Sequence, residues 1–141
     1  MLQNATMSNV FEDYLASNAI DGKFTNDGCG TRYARTQTTS DAWIRIDLPE
    51  WRYVVFFEIY NRHLFRDRLS NAEFYVFGAN PGKNRQFCNR IENGDGIFFK
   101  RMCKKPLYGK GVELSQPPNA DQFIQLCESS CTLDDNPKRV N

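Results

Sequence analysis

The sequence predicts an all-β domain, a sandwich or a barrel. Two observations carry this. Several short runs of β-branched and aromatic residues recur along the chain, and Gly, Pro, Asn and Asp clusters separate them. The chain also has the size and apolar content for one packed core: 141 residues, 40% hydrophobic and 13% aromatic, with 11 Phe.

Taken in order, Ala16 to Asp21 is the one short helical segment the sequence supports. Trp43-Ile44-Arg45-Ile46-Asp47-Leu48 alternates apolar and polar residues, as a strand with one buried face does. Tyr53 to Tyr60 is almost continuously apolar and predicts a central strand covered on both faces. Ala72 to Phe77 is a further strand, stopped by Gly78-Ala79-Asn80-Pro81-Gly82. Weaker strand signals lie at Gly96 to Phe99, Gly111 to Leu114 and Phe123 to Leu126, with turns at Asn93-Gly94-Asp95-Gly96 and Gln116-Pro117-Pro118-Asn119. The domain is expected to fill residues 1–131, and 132–141 reads as a flexible polar tail.

Eighteen basic and 17 acidic residues leave a net charge of +1, so no general attraction to nucleic acid is expected. No apolar run approaches the length of a membrane span. The opening residues carry neither the basic start nor the apolar stretch of a signal peptide, which leaves a mature product, an excised domain or a cytosolic chain. Asn4-Ala5-Thr6 fits a glycosylation acceptor. The chain holds a single histidine, His63, and no nucleophile motif or phosphate loop, so no enzyme is expected.

Five cysteines, Cys29, Cys88, Cys103, Cys127 and Cys131, lack the tight paired spacing of a zinc site. Two disulfides with one thiol left over is the simplest reading and points to a secreted, extracellular chain; five reduced thiols is the alternative. A leftover thiol, if exposed, would be able to join two chains into a homo-oligomer.

Several segments share an order and spacing with one known family. They are Ala5 to Phe11, Ala16 to Gly22, the Trp43–Leu48 strand, Tyr60-Asn61-Arg62, Asp67 to Glu73, and Leu126-Cys127-Glu128. Together they resemble the fucolectins, or F-type lectins, which are calcium-binding lectins related to the discoidin (F5/8 type C) domains. The resemblance implies a jelly-roll-like β-sandwich of the galactose-binding-domain-like class. It also implies the pairings Cys29–Cys127 and Cys88–Cys103, which leaves Cys131 as the odd cysteine, beside the expected tail, to join two chains. In the chain-entropy view the two pairings are worth roughly 4–5 and about 3 kcal/mol.

The resemblance further implies a Ca²⁺ site, with carboxylate oxygens from Asp21 and Glu128 and backbone carbonyls from Asn18, Lys23 and Cys127. Hard oxygen donors brought from distant parts of a chain suit this ion. Lys23 stands where the family has Asn, and an Asn/Asp-stabilised turn is the plainer reading of this segment.

The family's sugar loop carries a His upstream, two arginines and an adjacent cysteine pair. Here Arg62 and Arg68 match the arginines, Arg35 stands in the place of the His, and Leu64-Phe65 replace the cysteine pair as an apolar platform. Arg35 donates only, so an anionic ligand suits the set at least as well as plain fucose. The expected function is therefore calcium-dependent glycan binding, with fucosylated or anionic glycans as partners. The alternative is a degenerate lectin that serves as a structural or protein–protein interaction module. A discoidin-like membrane binder with Leu64 and Phe65 as inserted tips is a third reading, and membrane binding is not the expected role.

Overall fold

The structure, a computed structural model, describes residues 4–23, 28–37, 41–118, 120 and 122–134. Its strands are β1 (Asn4–Met7), β2 (Ala34–Arg35), β3 (Trp43–Tyr60), β4 (Glu73–Phe77), β5 (Gln86–Arg90), β6 (Phe98–Ser115), β7 (Gln125–Leu126) and β8 (Glu128–Asp134). Two short 3-10 turns, Ala16–Ile20 and Arg66–Leu69, complete the elements.

Two 18-residue antiparallel strands, β3 and β6, run through both layers of the sandwich. Their outer halves, Trp43–Asp47 and Gly111–Ser115, lie in a five-strand path ordered β1-β3-β6-β4-β5. Their other halves pair with each other and, on the free edge of β3, with β8. The fold is thus an all-β, jelly-roll-like sandwich in which one bonded sheet turns over on itself. Phe57 of the smaller layer stacks on Phe74 of the larger, with ring centroids 4.6 Å apart.

The bend in β3 is written in its sequence. Between Asp47 and Arg52 the register shifts, and Pro49, Glu50 and Trp51 bulge outward. Proline has no N–H to give a ladder, so a bulge is where a strand tolerates it. Lys110 Nζ donates to the carbonyls of Leu48 and Pro49 at 3.3 and 2.9 Å. Even positions stay buried across this bulge (Ile44, Ile46, Leu48, then Val54), and a second register shift, between Val54 and Phe56, moves the buried face to odd ones (Val55, Phe57, Ile59). The second half of β3 is therefore not covered on both faces as its apolar run suggested. Phe56, Glu58 and Tyr60 keep partial exposure on the outer side.

Both expected disulfides are present. Cys29–Cys127 closes a span of 98 residues, and Cys88–Cys103 staples the edge strand β5 to β6 across 15. The tail is shorter than its composition indicated. Thr132 to Asp134 belong to β8, paired with β3, and the remainder of the expected tail, 135–141, lies outside the described residues. Cys131 is also not an exposed thiol. It sits within β8 opposite Phe57, packs against the core, and burial pushes its thiol up to about 11.

Candidate functional site

The loop after β3 begins at Asn61, which is 1% exposed. Its Nδ2 contacts the carbonyls of Arg66, Gly94 and Gly96 at 3.0 Å each, and its Oδ1 accepts from the Arg62 N–H at 2.8 Å. One buried amide thus binds the loop to the turn beside it. Gly94 allows that approach, because a Cβ there would lie 2.3 Å from the Ser70 nitrogen. Phe65 takes a left-handed backbone, φ 57°, just before the turn that carries Arg68. This conformation is uncommon for a bulky side chain.

Arg62, Arg68 and Arg35 converge, although they come from the two ends of this loop and from β2. Each guanidinium lies over aromatic rings. Arg62 sits over Tyr33 at 4.0 Å, Arg68 over Phe65 at 4.3 Å, and Arg35 over Phe11 and Phe123 at 3.9 and 4.4 Å. Gln125 of β7 is fully buried behind them. Its Oε1 accepts from Arg62 at 3.4 Å and Arg68 at 3.2 Å, while its Nε2 donates to the carbonyls of Leu64 and Phe65. Gln116 supports the same turn by donating to the Arg68 carbonyl at 2.8 Å. Burial, and then the like charges of Arg35 and Arg62, hold the Arg68 guanidinium below its usual pKa.

The structure also joins the two carboxylates expected at a metal. The Gly22 N–H donates to both Glu128 oxygens at 3.1 and 3.2 Å, although the residues are 106 apart in sequence. Ser129 Oγ donates to the Ala19 carbonyl at 3.2 Å and ties β8 to the same turn. Burial, with the Asp21 charge adding to it, pushes Glu128 up to about 7. Asp21 Oδ1 accepts from the Lys23 N–H at 2.9 Å, and the Asn18 side-chain amide donates to the Tyr33 carbonyl. Among the described residues no group of three His, Cys, Asp or Glu side chains gathers. An ion held here would take Asp21, Glu128 and backbone carbonyls, a hard, oxygen-only set that fits Ca²⁺.

No protein-family model and no curated protein sequence matches the chain. Solved structures do. The chain is similar to a fucolectin from striped bass serum, with 28% identity, a TM-score of 0.80 and 93% of this chain covered. The chain has the F-type lectin fold. It spans 46% of the striped bass lectin's length. A fucose-binding module from Streptococcus pneumoniae is 18% identical at a TM-score of 0.78, with 94% of this chain and 92% of the module covered. The lectin domain of lectinolysin, solved with Lewis b antigen, is 19% identical at 0.77, with 94% and 93% covered.

Within the F-type lectin fold, the loop that replaces the cysteine pair divides its two apolar residues. Phe65 sits against the arginines, whereas Leu64 lines a neighbouring cleft of about 170 Å³ with Gly28, Cys29, Gly30, Arg62 and His63. The His63 ring packs on Gly28, where a Cβ would lie 3.2 Å from Cδ2. The sequence gives Gln125, Phe11, Phe123 and Tyr33 no role at this loop. Nothing in their local pattern links them to the loop, and the fold alone brings them to it.

Proposed function

We propose that this domain is an extracellular, calcium-dependent glycan-binding module. The observation that carries the reading is the convergence of Arg35, Arg62 and Arg68 beside the exposed face of Phe65, at the loop where the resemblance puts the family's sugar pocket. Guanidinium edges donate in the forked pattern that suits adjacent hydroxyls, and an aromatic face suits the C–H side of a sugar ring. Likeness to a serum fucolectin, a fucose-binding module and a Lewis b complex supports the same class of ligand. Two disulfides support an oxidising compartment. Ca²⁺ would neutralise Asp21 and Glu128 and fix the Ala16–Gly22 turn against β8. Capture would be reversible and, in a shallow site, strengthened by multivalency.

A glycan array with and without chelator tests the reading. Binding to fucosylated or anionic glycans that chelator weakens is the expected result; a blank array in calcium would sink it. Calcium at a hundredfold excess over its Kd should add about 2.7 kcal/mol of stability, and Asp21→Ala should remove that response. A second reading, a protein-interaction module, draws on the outer face of the smaller layer. There the partners Phe56–Met102 and Tyr60–Phe98 form an apolar row, with Met102 and Phe98 about half exposed. Retention of a native partner by the double variant Arg62→Ala/Arg68→Ala, with no glycan bound by the parent, would favour it.

A further inference from the structure

Building on the glycan-binding reading above, we infer that the arginine wall takes an anionic glycan, one whose terminal sugar carries a sulfate or carboxylate group. The first argument is a contrast within the chain. Arg45, Arg52, Arg66, Arg85 and Arg90 each pair with a carboxylate. Arg35, Arg62 and Arg68 form no ion pair among the described residues, and the acceptor that Arg62 and Arg68 share is the neutral Oε1 of Gln125. Asp67, exposed on the same loop, is the carboxylate whose charge reaches Arg68.

The second argument is geometric. Stacking on Tyr33, Phe65, Phe11 and Phe123 engages the faces of the guanidiniums and leaves N–H edges for a ligand. Arg35 Nε is buried with no hydrogen-bond partner among the described residues. A neutral sugar can accept from such donors, but it leaves three like charges uncompensated. A sulfate or carboxylate accepts two parallel bonds from one fork and relieves the repulsion, and such bonds are roughly twice as strong as neutral ones. Arg35 is the residue that distinguishes this wall from a pair of sugar-gripping arginines.

The test uses the whole chain in calcium buffer and titration calorimetry with four probes: a neutral fucosylated trisaccharide, its sulfate ester, its sialylated counterpart and inorganic sulfate. The sulfated or the sialylated sugar should bind about tenfold or more tighter than the neutral one at low salt. That ratio should shrink towards one as salt rises from about 0.05 to 0.5 M, and Arg35→Gln should shrink it at low salt. A gain confined to one anionic sugar identifies the group recognised. Equal, salt-independent binding of all three sugars would overturn the anion and leave the glycan reading standing. Failure of every sugar to bind would overturn both. Inorganic sulfate competing as strongly as the sulfated sugar would also overturn it, because the wall would then recognise charge without sugar. The salt series on the unmodified chain decides the matter even if Arg35→Gln fails to fold.

Discussion

Arg45 and Arg85 close on one carboxylate, that of Glu113, whereas Arg35, Arg62 and Arg68 close on one another. The first cluster lies on the outer face of the larger layer. Glu113 is 1% exposed, with Arg45 Nε 2.7 Å from one oxygen and Arg85 on the other. Its charges are satisfied within the molecule. The second cluster holds three guanidiniums with Asp67 exposed on the same loop, and the Asp21–Glu128 pair is its acidic counterpart. Acid and base thus meet in the first cluster and stand apart in the other two.

Predictions follow by size. The double variant Arg45→Ala/Arg85→Ala strips both cations from the Glu113 carboxylate beneath them and should cost about 3–5 kcal/mol of stability in urea unfolding. A loss below about 1 kcal/mol would erase the distinction between the clusters. Arg68→Ala leaves no buried charge behind. It should weaken glycan binding by about 1.5–3 kcal/mol in calorimetry while shifting stability by less than about 1. Equal losses in folding and binding would make that arginine structural.

The carboxylate pair gives a smaller, pH-dependent effect. Glu128 has its folded pKa raised from 4.5 to about 7. The folded chain therefore holds more protons than the unfolded one in that window, and stability should fall as pH climbs from about 4.5 to about 7. In chelator the melting temperature should be lower at pH 8 than at pH 5 from this group, and calcium should narrow the gap. A gap of the same size in calcium would speak against a cation beside Glu128. The least change is expected at Cys131. With its thiol raised to about 11 and packed against the core, alkylation of the native chain should be slow and non-reducing gels should show monomer. A disulfide-linked dimer would contradict this placement.

Much of the sandwich was legible. The alternation at Trp43–Leu48 and the run ending at Phe77 mark strands whose faces differ in polarity. Edge strands were not: β5, Gln86–Arg90, and β8, Glu128–Asp134, are polar and short of apolar alternation, and they are held by a neighbour's backbone. The strand β6 read as two fragments because Lys104, Lys105, Pro106 and Gly109 interrupt its pattern. Its glycines have a packing cause that the local sequence hides. At Gly111 a Cβ would lie 2.1 Å from the Phe77 ring. At the site, Arg62, Arg68 and Arg35 came into view only through the resemblance to the F-type lectin loop, which supplied the positions to compare. Gln125 did not, since its role depends on β7 passing behind the loop.

The Cys29–Cys127 bond lies between Gln125, which grips the arginines, and Glu128, which faces Asp21. It also encloses nearly the entire sandwich within its 98-residue span. A pull applied to the chain on both sides of that span is carried from one sulfur to the other once the outlying strands have let go, and it does not stretch the chain of β3 or β6. What lies outside the bond is β1 at one end and β8 at the other, each zipped along the same edge of β3. Under tension those two strands would peel away first. The arginine wall would keep its shape, but Glu128 would be drawn from Asp21, so such a load would loosen the acidic pair before it disturbed the basic one.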